Sequence, residues 1–232
     1  MSRDRTFLEE VLWFSQAGTP TSLDRLSVRY GFNGVKADPY RGHSLQQVHG
    51  THIVPAGDPT STEAPEKSEA DGLYTSQANV VVGVETADCL PILLSDGQQA
   101  MALHAGWRGL TAGILAKGLE LFDLRQAEHI HVVLGPAIDA CHYEVGPEPV
   151  DAVSSTSMGL TDAQKGFCLH KGIGDRWHLD LASAAVLLLS NRGVLARNIS
   201  VFRSCTFEKP DLWYSYRRDG ADVGRNWSWI TL

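Results

Sequence analysis

Three short segments concentrate residues able to do chemistry: Gln46-Gln47-Val48-His49-Gly50, Ala87-Asp88-Cys89-Leu90-Pro91 and Leu103-His104-Ala105-Gly106-Trp107-Arg108-Gly109. Each sets a metal-competent side chain where a strand-like run ends. Together His49, Cys89 and His104 form a His-Cys-His set of the kind zinc accepts. Three protein ligands leave a fourth position open, and in such a site zinc lowers the pKa of water towards about 7, yielding hydroxide at neutral pH. The spacing fits no standard zinc finger, and a single histidine on an apolar strand is usually a satisfied core residue. The glycines restore the balance. Gly50 follows His49, while Gly106 and Gly109 bracket Trp107-Arg108, where they permit tight turns and close backbone approach.

The elements that must position these residues follow from hydrophobic periodicity. β-Branched, apolar runs at Val80–Glu85, Ala100–His104, His129–Leu134 and Ile199–Phe202 predict short buried strands. A helix is expected over Leu110–Asp123, where Leu110, Ile114, Leu115, Leu119 and Phe122 recur at helical spacing. A second runs from Leu181 to Arg192, with Asp180 as N-cap and Gly193 as its stop. The polar run Asp58–Asp71 predicts a surface loop, and Asn226–Leu232, apolar on both faces, a buried terminal strand. Strands alternating with helices indicate an α/β class.

Composition narrows the function. The chain has 232 residues, 43% hydrophobic, with 20 basic and 27 acidic side chains, and its net charge of -7 gives no footprint for coating nucleic acid. No apolar run approaches the roughly 18 residues of a membrane span, and the N-terminal segment lacks a signal-peptide core, so a cytoplasmic location without membrane association is expected. Cys89, Cys141, Cys168 and Cys205 form no C-x-x-C pair and are read as thiols.

The ordered motifs QVHG, Glu69-Ala70-Asp71-Gly72, ADCLP, HAGWRG, Gly135-Pro136-Ala137-Ile138 through Tyr143-Glu144-Val145-Gly146, Cys205-Thr206 and Ser215-Tyr216-Arg217-Arg218-Asp219-Gly220 resemble those of the YfiH-type laccase-domain family. Its members are also called multicopper polyphenol oxidoreductases or purine nucleoside phosphorylases. The resemblance runs from about Ser44 to the C-terminus. It implies a single mixed α/β sandwich domain over residues 1–232, of the YfiH-like or cytotoxic necrotising factor-like type, holding one zinc through His49, Cys89 and His104. The implied activities are phosphorolysis of adenosine, inosine, guanosine and S-methyl-5'-thioadenosine, and deamination of adenosine. One departure bears on how the site closes: the family usually carries an Asn-Leu-Gly segment and an Asn-Arg pair before QVHG, and Leu23–Arg41 shows neither.

Within that frame Asp71 and Asp88 are the carboxylates expected to face the metal, one of them shuttling protons during deamination, although each could equally cap a turn. Arg108 joins them as a catalytic candidate, set beside a helix start that favours an anion. Arg41, Gln47, Cys141, Arg217 and Arg218 are candidate substrate contacts, the arginines because guanidinium recognises phosphate bidentately. Cys141 also reads as a small packed residue and His142 as a loop residue, while Trp213, Tyr214 and Tyr216 could stack a base or close the core. The expected partners are a purine nucleoside and phosphate. Two other enzymes remain as alternatives. A Cys89–His104 nucleophile and base could hydrolyse amides of cell-wall precursors. A copper polyphenol oxidase would need clustered His-x-His pairs, and His129-Ile130-His131 is the one present, so copper is a weaker expectation than zinc.

Overall fold

A computed structural model describes residues 3–14, 19–35, 45–56, 68–155 and 158–232. In chain order the elements are α1 (Arg3–Glu10), β1 (Leu12–Phe14), β2 (Arg29–Asn33), β3 (Ile53–Pro55), β4 (Gly72–Thr75), β5 (Val82–Thr86), β6 (Leu90–Ser95), β7 (Ala100–Ala105), α2 (Trp107–Thr111) and α3 (Ile114–Glu120). They continue with β8 (His131–Leu134), β9 (Glu144–Val145), α4 (Pro147–Ser154), α5 (Asp162–Cys168), β10 (Leu169–Lys171), β11 (Trp177–Leu179), α6 (Leu181–Asn191), β12 (Ile199–Phe202), α7 (Tyr216–Asp219) and β13 (Asn226–Thr231). The protein is a mixed α/β fold. A seven-stranded sheet runs β1-β12-β8-β6-β7-β4-β3, a three-stranded sheet runs β2-β13-β5, and a third runs β10-β11-β9.

Side-chain alternation in the large sheet divides the core in two. Ile92 and Leu94 of β6, Met101 and Leu103 of β7, and Val132 and Leu134 of β8 pack with Ile114, Leu115 and Leu119 of α3 and the apolar side of α6. Leu93, Ala100, Ala102 and Val133 point the other way, onto Val82, Val84 and Ile230 of the small sheet. Because both faces are covered, every residue of β6 and β7 is buried, and each strand reads as a nearly continuous apolar run.

The strand expected at Ile199–Phe202 forms over those residues, and α6 begins where Asp180 caps it by accepting from the Ser183 N–H at 2.8 Å. The terminal strand, ending at Thr231, sits centrally between β2 and β5. Other boundaries move for local reasons. The helix expected over Leu110–Asp123 is two, α2 and α3, because Gly113 takes φ +94 and starts a new helix. The strand expected from His129 begins at His131, since Leu124–His129 form a 3₁₀ segment capped by Asp123. His129 and His131 therefore share no strand face. The run Val80–Glu85 is shifted to Val82–Thr86. Of the predicted loop Asp58–Asp71, residues 58–67 lie outside the described residues.

Candidate metal centre

The register of the large sheet carries the key residues to one end. β6 and β7 are antiparallel with Leu90 opposite Ala105 and Pro91 opposite His104, so Cys89, just before β6, meets His104 near the end of β7. β4 is antiparallel to β7 with Gly72 opposite Leu103, which puts Asp71 beside His104; the His104 N–H donates to the Asp71 carbonyl at 2.7 Å. β3 lies parallel to β4, so the turn before it delivers His49 to the same end.

The donor atoms of His49, Cys89 and His104 all lie within 4.8 Å of one another. The two imidazoles meet edge to face, 4.8 Å between centroids. One side of His104 is fixed by Asp71, whose Oδ1 lies 2.7 Å from Nδ1. With a proton on Nδ1 held there, Nε2 is the ring nitrogen left for a metal, the arrangement by which a carboxylate orients a metal-binding histidine. The same buried carboxylate accepts from the backbone N–H groups of His49 (2.9 Å), Gly50 (2.6 Å) and Val48 (3.3 Å). One side chain thus holds one ligand directly and the turn of a second. Two glycines make room for this. A Cβ on Gly106 would come within 3.0 Å of Cys89 Sγ and 3.1 Å of His49 Cδ2, and one on Gly109 within 2.9 Å of the Gly50 carbonyl.

Electrostatics follow from these contacts. Burial works to raise the Cys89 thiol, but hydrogen bonds and charge from His104 and His49 outweigh it and bring it from 9.0 to about 6. His104 moves oppositely: burial works to lower it, while Asp71 and Cys89 raise it to about 9. Burial would raise Asp71 as well, yet His104 and the Gly50 and His49 N–H groups hold it below 3.8. A thiolate, two imidazoles and an orienting carboxylate fit a borderline-soft divalent metal.

The group opens onto a cleft of about 500 Å³, which Gln47, Asp88, Arg108 and Arg217 also line. Gln47 uses both ends of its amide on the β5 backbone: Nε2 donates to Glu85 O (2.6 Å), and Oε1 accepts from Glu85 N–H (2.8 Å). Asp88, at φ +95, accepts from Thr206 Oγ1 at 2.5 Å and from Arg217 N–H at 2.7 Å. The Arg108 guanidinium lies 4.4 Å over the Trp107 ring, beside Glu148. Arg217 donates to Glu144 O at 2.9 Å and lies over Tyr143. Arg218 is outside the cleft lining, its guanidinium donating to the Thr206, Phe207 and Trp213 carbonyls and to Asp219. Cys141 is exposed, against Glu208, and is not the small packed residue expected. Arg41 lies outside the described residues. Tyr216 lines the cleft, while Trp213 is core, its Nε1 donating to Ser204 Oγ.

Sequence reasoning missed Tyr143, Thr86 and Arg225 as cleft residues. Tyr143 stood inside a quoted motif, and Arg225 immediately precedes the terminal strand. Its position in the cleft depends on Asn226 pairing with Thr86, a contact between distant parts of the chain.

The profile of the multi-copper polyphenol oxidoreductase laccase family matches residues 29–232. A purine nucleoside phosphorylase of Deinococcus radiodurans is 34% identical over 212 residues, covering 90% of this chain and 75% of that protein. The purine nucleoside phosphorylase YfiH of Escherichia coli is 36% identical, covering 81% and 72%. An adenosine deaminase RL5 from an unknown prokaryotic organism is 34% identical, covering 69% and 61%. Among solved structures, the YfiH protein of Bacillus licheniformis superposes with a TM-score of 0.74 at 28% identity, covering 81% of this chain and 73% of that one.

Proposed function

The chain belongs to the multi-copper polyphenol oxidoreductase laccase family, and from that membership we propose that it is a zinc-dependent purine nucleoside phosphorylase that also deaminates adenosine. The observation that carries this reading is the convergence of His49, Cys89 and His104 at a cleft that also presents Arg108, Arg217 and Arg225. The names of the Deinococcus radiodurans and RL5 relatives supply the two reactions. Adenosine, inosine, guanosine and S-methyl-5'-thioadenosine are the proposed substrates.

His49, Cys89 and His104 would hold the zinc ion, which when bound would supply Lewis acidity at the cleft. The remaining work falls to the chain. Asp71 is a positioning residue, holding the tautomer of His104 and the turn of His49. Asp71 is fully buried, whereas Asp88 lines the cleft with Thr206 Oγ1 on one oxygen and the Arg217 N–H on the other, so Asp88 is the carboxylate proposed to move a proton in deamination, releasing one of these bonds to do so. The Arg217 guanidinium is held by the Glu144 carbonyl and lies over the Tyr143 ring, and with Arg108 it is the proposed phosphate site. Gln47 positions the His49 turn against β5. A cytoplasmic location goes with this reading, supported by four free cysteines. No helix among the described residues is long and apolar enough to cross a membrane.

The test is release of base from adenosine by zinc-loaded protein, with and without phosphate. Phosphate-dependent adenine release, with inosine formed in parallel, and loss of both in Cys89→Ala is the expected result. Turnover in purified Cys89→Ala equal to wild type overturns the proposal. A second reading is favoured by the chain of contacts from Cys89 through His104 to Asp71, which is also that of a thiol hydrolase. Amide hydrolysis that persists under chelator and is abolished by alkylating Cys89 selects it.

A further inference from the structure

Among residues that do not line the cleft, a second set of donor atoms converges. Cys141 and His142 occupy a turn in which His142 N–H donates to Asp139 O at 3.0 Å and Tyr143 N–H to Ala140 O at 3.1 Å. Glu208 comes from the turn after β12, anchored by Thr206 on Asp88 and by Arg218 on the Thr206 and Phe207 carbonyls. Cys141 Sγ, His142 Nε2 or Nδ1, and a Glu208 carboxylate oxygen all lie within 4.8 Å of one another. Glu208 Oε1 is 2.8 Å from His142 Nε2 and 3.9 Å from Cys141 Sγ. The imidazole is oriented on a second side by Phe207, stacked at 4.5 Å between centroids and 19°. The ion pairs of the described residues give Glu208 no lysine or arginine partner; its partner is the His142 ring.

We propose that Cys141, His142 and Glu208 form a second metal site, separate from the cleft, that takes a zinc ion. A thiolate, an imidazole and a carboxylate are the three ligand types zinc accepts, whereas magnesium and calcium require oxygen donors throughout. The atoms that would bind already face one another across two turns, each fixed by its own hydrogen bonds. The proton between His142 Nε2 and Glu208 Oε1 occupies the place the ion takes. Binding leaves zinc-bound thiolate, imidazole and carboxylate and releases the thiol proton together with any proton held between the two. The exposure of Cys141, with side-chain exposures of 30% for His142 and 50% for Glu208, makes this an open, exchangeable site, weaker than the one in the cleft.

The test uses full-length, metal-stripped protein titrated with cobalt(II), read by its thiolate-to-metal absorption, and with zinc by equilibrium dialysis. Wild type is expected to take two equivalents in two phases. Cys89→Ala keeps a thiolate–cobalt band, now from Cys141. Cys141→Ser and the near-isosteric Glu208→Gln keep the tight equivalent and lose or weaken the second by at least about tenfold, while Cys89→Ala/Cys141→Ser shows no thiolate band. Three results each overturn the site: saturation of wild type at one equivalent, absence of the thiolate band in Cys89→Ala protein that circular dichroism shows to be folded, or a second equivalent unchanged in both Cys141→Ser and Glu208→Gln.

Discussion

Replacing Asp71 by asparagine removes one charge and almost no volume, and its effect can be worked from the four hydrogen bonds the carboxylate accepts. Oδ1 faces His104 Nδ1 (2.7 Å) and His49 N–H (2.9 Å), while Oδ2 faces Gly50 N–H (2.6 Å) and Val48 N–H (3.3 Å). An asparagine has one acceptor end and one donor end. If its oxygen faces His104, its NH₂ meets the Gly50 N–H donor to donor. If its NH₂ faces His104, the imidazole must accept at Nδ1 and carry its proton on Nε2, the atom needed for the metal. The first orientation leaves buried donors unsatisfied at about 1–3 kcal/mol, the second removes a ligand lone pair, and both weaken the site. Loss of such an orienting partner typically costs about 10- to 100-fold in metal affinity. A stability loss of about 2 kcal/mol lowers Tm by roughly 4–8 °C for a chain of this size. Competition against a chromophoric zinc chelator, with thermal unfolding of the metal-free protein, measures both. Zinc affinity within twofold of wild type in Asp71→Asn would refute the assignment of Asp71 as the residue that sets the His104 tautomer.

In metal-free protein, alkylation of Cys89 mapped by mass spectrometry is expected to rise with pH through about 6 and not near 9.0, and added zinc should protect it. The linked stability has two opposed parts. The lowered Cys89 contributes fully above 9.0 and loses its share as pH falls through about 6, while the raised His104 contributes fully below 6.5 and loses its share as pH rises through about 9. Denaturant midpoints of metal-free wild type should therefore vary little across that range, because the two shares change in opposite directions. Gly106→Ala, whose Cβ would crowd Cys89 and His49, is expected to lower zinc affinity at least tenfold with the fold retained by circular dichroism; unchanged affinity would show that the two side chains can move aside. Arg217→Ala is expected to raise the KM for phosphate about tenfold or more while leaving deamination of adenosine within a few-fold of wild type. Equal losses in both reactions would instead place Arg217 in nucleoside binding.

How much of this could be read in advance depended on the range of the interactions. α6 was legible because its signals are local: a capping aspartate, an apolar face, and a glycine that follows at φ +88. The candidate ligands were legible because His49, Cys89 and His104 each stand where a strand-like run ends, but residue type and spacing left the set open, and the family resemblance joined them. Gly113 was overlooked as a break because the apolar spacing continues across it. Pro91, which lacks an N–H, stands inside the fully buried β6, where a proline argues against a central strand. Asp71 followed by glycine looks like a turn signal, and its actual work, on N–H groups some twenty residues upstream and on a histidine of another strand, depends on sheet register. The second donor set was illegible for the same reason, since Glu208 meets His142 across 66 positions.

The two carboxylates resolve a conformational problem at the site. His49 and Asp88 both have positive φ, +60 and +95, a region that non-glycine residues adopt at a cost of about 1–3 kcal/mol when the surroundings impose it. Each lies at or next to a metal ligand, and each is tied by a carboxylate. Asp71 gathers the three consecutive N–H groups of the Val48–Gly50 turn, while Asp88 bonds outward to Thr206 and to the start of α7. The ligand loops are thus held by buried acceptors in conformations they would not otherwise favour, before any ion binds. Such preorganisation reduces the ordering that binding must supply. It follows that Asp71→Asn should damage the His49 side of the site and Thr206→Val the Cys89 side. Because His104 hydrogen-bonds both Asp71 and Cys89, the two turns are already coupled in the metal-free site, and the losses in zinc affinity should depart from additivity in the double variant.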